Sequence, residues 1–241
     1  MKSTIIRLAQ AAPALSNPIW RAIYPNFRRN EYWSGEEYND RASAFDTIYQ
    51  ENRWGSDESR SGRGSTMAQT QLLRRELPLL FQRLGVTTFL DAPCGDFYWM
   101  RHVPMGQTHY IGGDIVPDLI GKLKREHPDR DFRVMDIVEG PIPKADLWLC
   151  RDTLFHLPNA DVQKVLTLAA HSGVRFFLMT TYPFAEENRD IKAGGFRFLN
   201  LQAAPFNLPP PLLTIDDFSV PEPPRVLGLW SAEQLRGQPT T

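Results

Sequence analysis

Cysteine is scarce in this chain, and the chain has neither a marked excess of one charge nor a long apolar run. Two cysteines, Cys94 and Cys150, occur among 241 residues, which excludes a disulfide framework and a cysteine-rich zinc site. The formal net charge is -1, so we expect no nucleic-acid partner, because neutralising phosphates requires a basic excess. No apolar run is long enough to span a membrane, and the sequence predicts no membrane partner and no metal site.

The amino terminus has only the outline of a secretory signal. It reads MKSTIIRLAQAAPALS, with Lys2 followed by apolar and then small residues. Arg7 interrupts the apolar stretch, which is therefore too short for a signal peptide. We interpret this segment as a short amphipathic helix and expect a cytoplasmic protein.

Residues 1–84 contain more aromatic side chains than a disordered tail would have. They predict short helices that pack against the remainder of the chain as a helical extension or lid. Residues 55–65 are polar and contain glycine, which predicts a loop, and Ser65 or Thr66 is expected to cap a helix that ends at Gly85. The aromatic residues of this region include Trp20, Tyr24, Phe27, Tyr32, Trp33, Tyr38, Phe45, Tyr49 and Trp54.

From residue 85 onward, short β-rich segments alternate with helical ones. Strands are predicted at 87–90, 109–111, 132–135, 147–150 and 174–180, with helices at 116–125 and after an Asn159 cap. This alternation predicts an α/β fold with a mostly parallel central sheet flanked by helices. After Pro183 the pattern weakens. Residues 196–201 and 226–230 are candidate strands, and the proline-rich stretch 205–224 has no clear interpretation.

Four acidic residues follow four predicted strands: Asp91, Asp114, Asp136 and Asp152. Right-handed crossovers place the carboxyl ends of parallel strands at one edge of the sheet, where ligands bind. A single aspartate there carries little weight, because aspartate is common in loops. Four in register with four strands indicate a ligand site along that edge.

The first acid lies in the segment FLDAPCGDFYWM. A tight turn at Pro93, Cys94 and Gly95 allows the backbone to approach a ligand, and the amides of a following helix would point toward it. Asp114 follows Gly95 by 19 residues, the separation at which an acid on the second strand reaches a ribose hydroxyl.

These segments, in this order, resemble the motifs of class I S-adenosylmethionine-dependent methyltransferases. LDAPCGD is similar to the first motif and GGDIVPDLI to the segment that follows it. FRVMDI is similar to the acidic motif beside adenine, and DLWLCRDTLFHL to the motif beside the transferable methyl group. The resemblance covers residues 86–182. It implies a Rossmann-like methyltransferase fold over residues 85–241, with the strand ending at Asp91 beside the strand ending at Cys150, and S-adenosylmethionine as cofactor.

The resemblance also implies roles for individual residues. The methionine part would lie near Asp91 and Gly95, the ribose hydroxyls would bind Asp114, and adenine would meet Asp136. Arg151 and Asp152 would lie beside the sulfonium and the acceptor. The further cofactor contacts expected from the same motifs are Pro93, Cys94, Ile115 and Ile137. The family's first motif usually has glycine two, four and six residues after the acid, where this chain has Pro93, Gly95 and Phe97.

Two further features are candidates for function. His156 follows Asp152 by four residues, so a helical turn would place both on one face; we interpret it either as a general base oriented by the carboxylate or as a structural histidine. The loop at 61–67, SGRGSTM, is either an anion-binding lid in which Arg63 meets the cofactor's carboxylate or an ordinary polar loop.

The sequence therefore predicts an enzyme that methylates a hydroxyl or amine of a small polar acceptor, such as a sugar or secondary metabolite. Two alternatives stay open. One is a methyltransferase-like module that binds the cofactor without turnover. The other is a nicotinamide-dependent oxidoreductase, which is disfavoured because no G-x-G-x-x-G follows the first strand.

Overall fold

The computed structural model of the protein describes residues 32–218 and 224–237. The amphipathic helix expected at the amino terminus, with Trp20, Tyr24 and Phe27, lies outside these residues. The strands are β1 (Thr88–Asp91), β2 (His109–Asp114), β3 (Asp131–Val134), β4 (Leu147–Cys150), β5 (Phe176–Thr181), β6 (Leu213–Asp216) and β7 (Val226–Ser231). The helices are α1 (Arg41–Gln50), α2 (Gln71–Leu84), α3 (Pro117–Glu126), α4 (Asn159–His171) and α5 (Ala232–Arg236).

The seven strands form one sheet in the order β3-β2-β1-β4-β5-β7-β6. The first five are parallel, and β7 pairs antiparallel with both β5 and β6. The strand order reverses between β1 and β4, which confirms the predicted neighbourhood of these two strands. A ligand crevice opens at such a switch point, outside the carboxyl ends of the strands.

Apolar side chains cover both faces of the sheet. On one face, Leu73 and Leu77 of α2 pack with Ile120 of α3 against the sheet residue Phe89. On the other face, Val165 of α4 packs in a separate cluster with residues of β4, β5 and α5. The helices therefore flank the sheet as predicted, and α1 contributes Phe45 to both clusters. Within the described residues, no helix is both long and apolar enough to cross a membrane.

Two predicted helix caps are wrong. Neither Ser65 nor Thr66 caps α2, which begins after Thr70. Residues 66–70 form a turn of their own, in which the Thr70 hydroxyl donates to the Thr66 carbonyl at 2.9 Å. Asn159 is the first residue of α4 rather than its cap. Its side chain is used elsewhere, since Arg197 donates to its Oδ1 at 2.9 Å. Gly85 ends α2 in the left-handed conformation, as predicted.

The chain after Pro183 differs from the sequence prediction. Residues 196–201 form no strand, apart from one isolated bridge between Phe196 and Trp33. Backbone groups of this segment instead form hydrogen bonds with side chains. The amide of Asn200, for example, donates to the Oδ1 of Asn188 at 2.9 Å. The proline-rich stretch contains β6, which the sequence pattern did not reveal. Residues 226–230 belong to β7, as expected.

Candidate active site

A cavity, called the first cavity here, opens at the carboxyl ends of β1 to β4. The N-terminal region supplies its opposite wall, with Phe45, Tyr49 and Trp54 among the lining side chains. Most of the site residues predicted from the sequence line it: Asp91, Pro93, Cys94, Gly95, Asp114, Ile115, Asp136, Ile137, Arg151 and Asp152. The four strand-end acids therefore surround one space, while His156 and Arg63 do not line it.

The turn after β1 is fixed by hydrogen bonds to both neighbouring strands. The amide of Ala92 donates to the backbone of β4 at 3.0 Å, and the amide of Cys94 donates to the Gly113 carbonyl at 2.7 Å. Gly95 has a φ of 53°, a conformation that glycine adopts at no steric cost. A Cβ atom at Gly95 would overlap the hydroxyl of Ser61, so the N-terminal loop lies directly on this turn.

That loop is anchored by the carboxylate of Asp96. The hydroxyl of Ser59 donates to it at 2.9 Å, and the amide of Arg60 donates to it at 2.8 Å. Ser61 completes the contact, because its Oγ accepts from the Asp96 amide at 2.9 Å. The segment from Ser59 to Ser61 is therefore held against the end of the first motif.

Phe97 occupies a position where the family's motif has glycine. Its φ is 58°, which costs a residue with a side chain about 1–2 kcal/mol. The ring is buried and packs edge-on against Phe132, with centroids 5.2 Å apart. It packs at a tilt against Tyr110, with centroids 5.0 Å apart. Burial of the ring offsets the backbone cost. The chain thus reaches a glycine-like conformation here without a glycine.

Asp114 ends β2 with a nearly buried carboxylate that accepts two backbone hydrogen bonds. Its Oδ2 accepts from the amide of Gly95 and its Oδ1 from the amide of Val116, each at 3.1 Å. Burial raises the pKa of Asp114 to about 6, although these backbone donors oppose the shift. A carboxylate has about four acceptor positions, so each oxygen keeps one for a ligand, as two neighbouring hydroxyl groups would require.

Asp91 ends β1 and is buried. Its Oδ2 accepts from the phenol of Tyr110 at 2.9 Å. Burial raises the pKa of Asp91 to about 7, while the Tyr110 hydrogen bond and the charge of Arg151 partly oppose the shift. This carboxyl group therefore exists in both protonation states near neutral pH, unlike an exposed aspartate.

Asp136 is already engaged by a cation from α1. Arg41 donates to its Oδ2 at 2.7 Å, to Asp161 at 2.7 Å and to Glu139 at 3.3 Å. Three carboxylates thus surround one guanidinium group whose side chain is 16% exposed. The second oxygen of Asp136 accepts from the amide of Val138 at 2.9 Å. The residue predicted to meet adenine is therefore also the residue that holds α1 over this end of the cavity.

Arg151 belongs to a buried ion-pair network that joins three parts of the chain. Its Nε and Nη2 donate to the two oxygens of Asp217 at 2.8 and 2.9 Å, and Nη2 also donates to the Gly64 carbonyl at 2.7 Å. Arg225 pairs with Asp217 at 3.2 Å and with Asp152 at 3.1 Å. The end of β4, the β6–β7 turn region and the N-terminal loop meet in this network, called the two-arginine network below.

Asp152 is poorly suited to act as a base. Burial alone would raise its pKa, but the charges of Arg151 and Arg225 outweigh burial and lower it below the usual value. The side chain also lies against Thr180, with Oγ1 to Oδ1 at 3.4 Å. This carboxylate consequently stays ionised and paired, and it accepts protons only weakly.

His156 follows in a short 3-10 helix, Leu154–His156. The sequence predicted that Asp152 orients the imidazole, but the Gly195 carbonyl does so instead. It lies 2.6 Å from Nδ1, which donates to it when the proton of the neutral imidazole is on Nδ1. Burial lowers the pKa of His156 to about 4, although the Gly195 contact and Asp152 favour the charged form. The imidazole is therefore neutral at pH 7, which leaves Nε2 as a hydrogen-bond acceptor.

A second cavity adjoins the first and shares Trp54, Ser61 and Asp152 with it. His156 and Arg63 line this second cavity. Arg63 was predicted to meet the cofactor's carboxylate, but the structure places its side chain in the neighbouring space, while Ser61 and Ser65 from the same loop line the first cavity.

Four charged residues of the site were not found by sequence reasoning: Arg41, Arg60, Asp217 and Arg225. Asp217 and Arg225 flank a stretch rich in proline, where neither strand periodicity nor a motif is visible. Arg41 follows a polar segment, and nothing in the neighbouring sequence distinguishes it from a solvent-exposed arginine. Only the aromatic cluster of residues 1–84 indicated that this region packs on the site.

Both cysteines are free and buried. Cys94 and Cys150 each have less than a tenth of their surface exposed. Burial raises the pKa of both thiols, so they remain protonated at neutral pH and are unreactive.

No family model matches the chain, and no curated protein matches it. Solved structures do match the chain. Magnesium protoporphyrin IX methyltransferase from Synechocystis PCC 6803, solved with bound SAM, is 12% identical over 81% of this chain and 99% of that chain, with a TM-score of 0.58. A 1,6-didemethyltoxoflavin-N1-methyltransferase from Burkholderia thailandensis, solved with its substrate and S-adenosylhomocysteine, is 14% identical over 83% and 93%, with a TM-score of 0.52.

An S-adenosylmethionine-dependent methyltransferase from Clostridium acetobutylicum ATCC 824 is similar to the same degree. It is 13% identical over 77% of this chain and 96% of that chain, with a TM-score of 0.52. At such identities the similarity establishes the fold. The chain has the Rossmann-like fold of class I S-adenosylmethionine-dependent methyltransferases, as its motifs predicted.

Proposed function

We propose that the protein is a methyltransferase that uses S-adenosylmethionine and acts on a hydroxyl or amine of a small polar acceptor. The observation that carries the proposal is the carboxylate of Asp114, which lies at the switch point of the sheet with one unused acceptor position on each oxygen. A ribose has two adjacent hydroxyls that match this arrangement. The structural neighbours named above, which bind SAM or S-adenosylhomocysteine, support the same cofactor.

The residues of the first cavity fit the other parts of this cofactor. Gly95 and Asp91 would lie beside the methionine part, where the turn after β1 brings the backbone close. Ile137 and Asp136 would lie beside adenine, with Arg41 closing that end. The cofactor supplies the electrophilic methyl group and the leaving group together. The remaining task of the protein is therefore to align the acceptor and to exclude water.

The N-terminal region fits the role of a lid. Ser61 lies on the turn at Gly95, Arg41 bridges to Asp136, and Gly64 bonds to Arg151. Each contact joins the N-terminal region to a part of the cofactor site, so closing the lid would shield that site from water. We retain the division into an N-terminal extension, 1–84, and a cofactor domain, 85–241, as a proposal, together with a cytoplasmic location.

His156 is the residue placed to accept a hydrogen bond from an acceptor hydroxyl, and its pKa of about 4 makes it a weak base that takes the proton only as the methyl group is transferred. Its Nδ1 is committed to Gly195, so Nε2 is the acceptor atom, and it lies in the wall of the second cavity. Asp152, held by two arginines, serves instead to keep the two-arginine network and the cavity wall in place. We assign the second cavity to the methyl acceptor because it shares Asp152 and Trp54 with the first.

The proposal is tested by incubating the protein with S-adenosylmethionine and a panel of hydroxyl and amine compounds, and by measuring S-adenosylhomocysteine. Formation of product that needs an added acceptor, and that falls strongly in Asp114→Asn, supports a methyltransferase. Binding of S-adenosylhomocysteine without turnover on any acceptor points to a binding module. Binding of NADH in place of both adenosyl ligands would overturn the assignment.

A further inference from the structure

The apolar wall of the second cavity is aromatic. Within the described part of the chain, its apolar lining side chains are Trp54, Phe155, Tyr182 and Phe196, and no aliphatic side chain contributes. The space open to the centre of a water molecule in this cavity is about 320 Å³. The second cavity therefore has room for a separate molecule, and flat rings surround that space.

The rings form an ordered surface. Trp54 stacks on the imidazole of His156, with centroids 5.2 Å apart and planes 26° apart. Phe155 meets Phe196 edge-on at 5.4 Å and Tyr182 at 5.7 Å. Aromatic side chains favour offset-stacked and edge-to-face contacts with further rings, so this surface complements a planar aromatic molecule.

A carbohydrate fits the same wall less well. Sugar hydroxyls need several uncommitted acceptors and donors, and Asp152 is the one carboxylate among the described lining residues. Arg151 and Arg225 already occupy that carboxylate at 3.3 and 3.1 Å. Its oxygens are therefore a poor match for a polyol.

Among the described lining residues, one cation has no counter-charge. Arg225 is balanced by Asp152 and Asp217, and His156 is neutral at pH 7. Arg63 is exposed and forms no ion pair with any residue that the structure describes. One positive charge thus remains on this wall, and it can pair with an anionic group in bidentate geometry.

The position of Arg63 gives the bound molecule a direction. Arg63 lines only the second cavity, whereas Asp152 and Trp54 line both cavities. An anionic group on Arg63 would therefore lie in the part of the second cavity that the first cavity does not share, and the opposite end of the ring would lie toward Asp152 and Trp54, which line both cavities.

We propose that the methyl acceptor is a planar aromatic compound that carries a carboxylate, with its ring among Trp54, Phe155 and Phe196 and its carboxylate on Arg63. This inference rests on the proposed function, because it takes the first cavity as the cofactor site. It assigns Arg63 as a specificity-determining residue for the acceptor.

The experiment compares four compounds that separate ring from charge: 3,4-dihydroxybenzoate, catechol, glucuronate and glucose. Their binding is measured by calorimetry on the full chain saturated with S-adenosylhomocysteine. We expect 3,4-dihydroxybenzoate to bind about tenfold or more tightly than catechol, since a charge-assisted hydrogen bond is lost in catechol. We expect glucuronate and glucose to show no measurable binding.

Three variants assign the effect to the named residues. Arg63→Gln should abolish the preference for 3,4-dihydroxybenzoate over catechol, and Arg63→Lys should restore part of it. Phe196→Leu should weaken both aromatic compounds. Arg75→Gln, at an exposed position on α2, is the matched control and should change nothing. The affinity for S-adenosylhomocysteine should be the same in all four variants.

Equal affinity for catechol and 3,4-dihydroxybenzoate, a preference for glucuronate, or an unchanged preference in Arg63→Gln would overturn the inference. So would normal binding of S-adenosylhomocysteine with no binding of any of the four compounds. If S-adenosylhomocysteine itself does not bind, the proposed function fails, and the inference fails with it.

Discussion

The carboxylate of Asp114 gives cofactor binding a defined dependence on pH. Burial raises its pKa to about 6, so the group is ionised at pH 7.5 and mostly protonated at pH 5. Hydroxyl donors stabilise the ionised form, and a protonated carboxyl group cannot accept from both hydroxyls. The affinity for S-adenosylhomocysteine should therefore fall as the pH is lowered through about 6.

Calorimetric titrations at several pH values between 5 and 8 measure this dependence. Asp114→Asn should remove the part centred near pH 6 and keep any contribution from Asp91, whose pKa is about 7. Identical pH profiles for the two proteins would show that Asp114 does not contact the ligand.

The low pKa of His156 predicts that turnover depends on pH differently from cofactor binding. Because burial lowers its pKa to about 4, the imidazole is neutral throughout the range from pH 6 to 9, and its titration should leave no step in the rate there. Loss of a general base costs about a hundredfold to ten-thousandfold in turnover. His156→Ala should show this loss with nearly unchanged affinity for S-adenosylhomocysteine.

The exposed His102 offers a control, since His102→Ala should leave turnover unaltered. Near-normal turnover of His156→Ala on the natural acceptor would eliminate the histidine as a base. An equal loss of cofactor affinity would instead assign it a structural role, through its contacts with Trp54 and Phe196.

At the scale of elements, Arg41 ties α1 to the Asp136 end of the first cavity. Arg41→Gln leaves Asp136, Asp161 and Glu139 without their shared cation, so we expect α1 to detach more readily. Hydrogen exchange of residues 41–50 should become faster, and S-adenosylhomocysteine should dissociate roughly tenfold faster, as loss of a charged hydrogen bond predicts.

Arg53→Gln is the matched control, because Arg53 forms exposed ion pairs with Glu36 and Glu51 away from the first cavity. It should change neither exchange in α1 nor the dissociation rate. If Arg41→Gln behaves like this control, the contact with Asp136 does not hold the helix in place.

The two-arginine network connects three elements and should contribute to stability. Asp217 is fully buried and balances both Arg151 and Arg225. Removing one partner of a buried pair leaves uncompensated charge and costs about 3–5 kcal/mol. Asp217→Asn should lower the free energy of unfolding by this amount in urea denaturation.

Glu187→Gln breaks an exposed pair with Arg189 and should cost less than about 1 kcal/mol. A loss in Asp217→Asn no larger than in this control would mean that the buried charges are balanced by other groups.

At the scale of the whole molecule, the parallel part of the sheet could be predicted from local pattern. β1, β2, β4 and β5 are short apolar segments, and their acids or polar residues lie at the end of the strand or within two positions beyond it. Because crossovers are right-handed, this order of segments already places Asp91 and Asp114 at one edge. The lining of the first cavity therefore followed largely from the sequence.

The remaining parts depend on contacts between distant residues. β6 is a half-buried edge strand of four residues, too short for its alternation to stand out beside the prolines, and it becomes a strand by pairing with β7. Arg41 and Asp136 are separated by 95 positions, and Arg151 and Asp217 by 66. The pattern of apolar and polar residues along the chain contains no information about such distant pairs. The lid, the two-arginine network and the second cavity consequently became visible only in the folded chain.

Calorimetric titration of the purified protein with S-adenosylhomocysteine, alongside NADH, tests the central claim most directly. The site geometry predicts saturable binding of S-adenosylhomocysteine at pH 7.5 and no binding of NADH. In Asp114→Asn, loss of the charged acceptor should weaken S-adenosylhomocysteine binding by about tenfold to a hundredfold, with an unchanged unfolding transition. Binding of NADH without any binding of S-adenosylhomocysteine or S-adenosylmethionine, or equal affinity in the folded Asp114→Asn protein, would contradict the account.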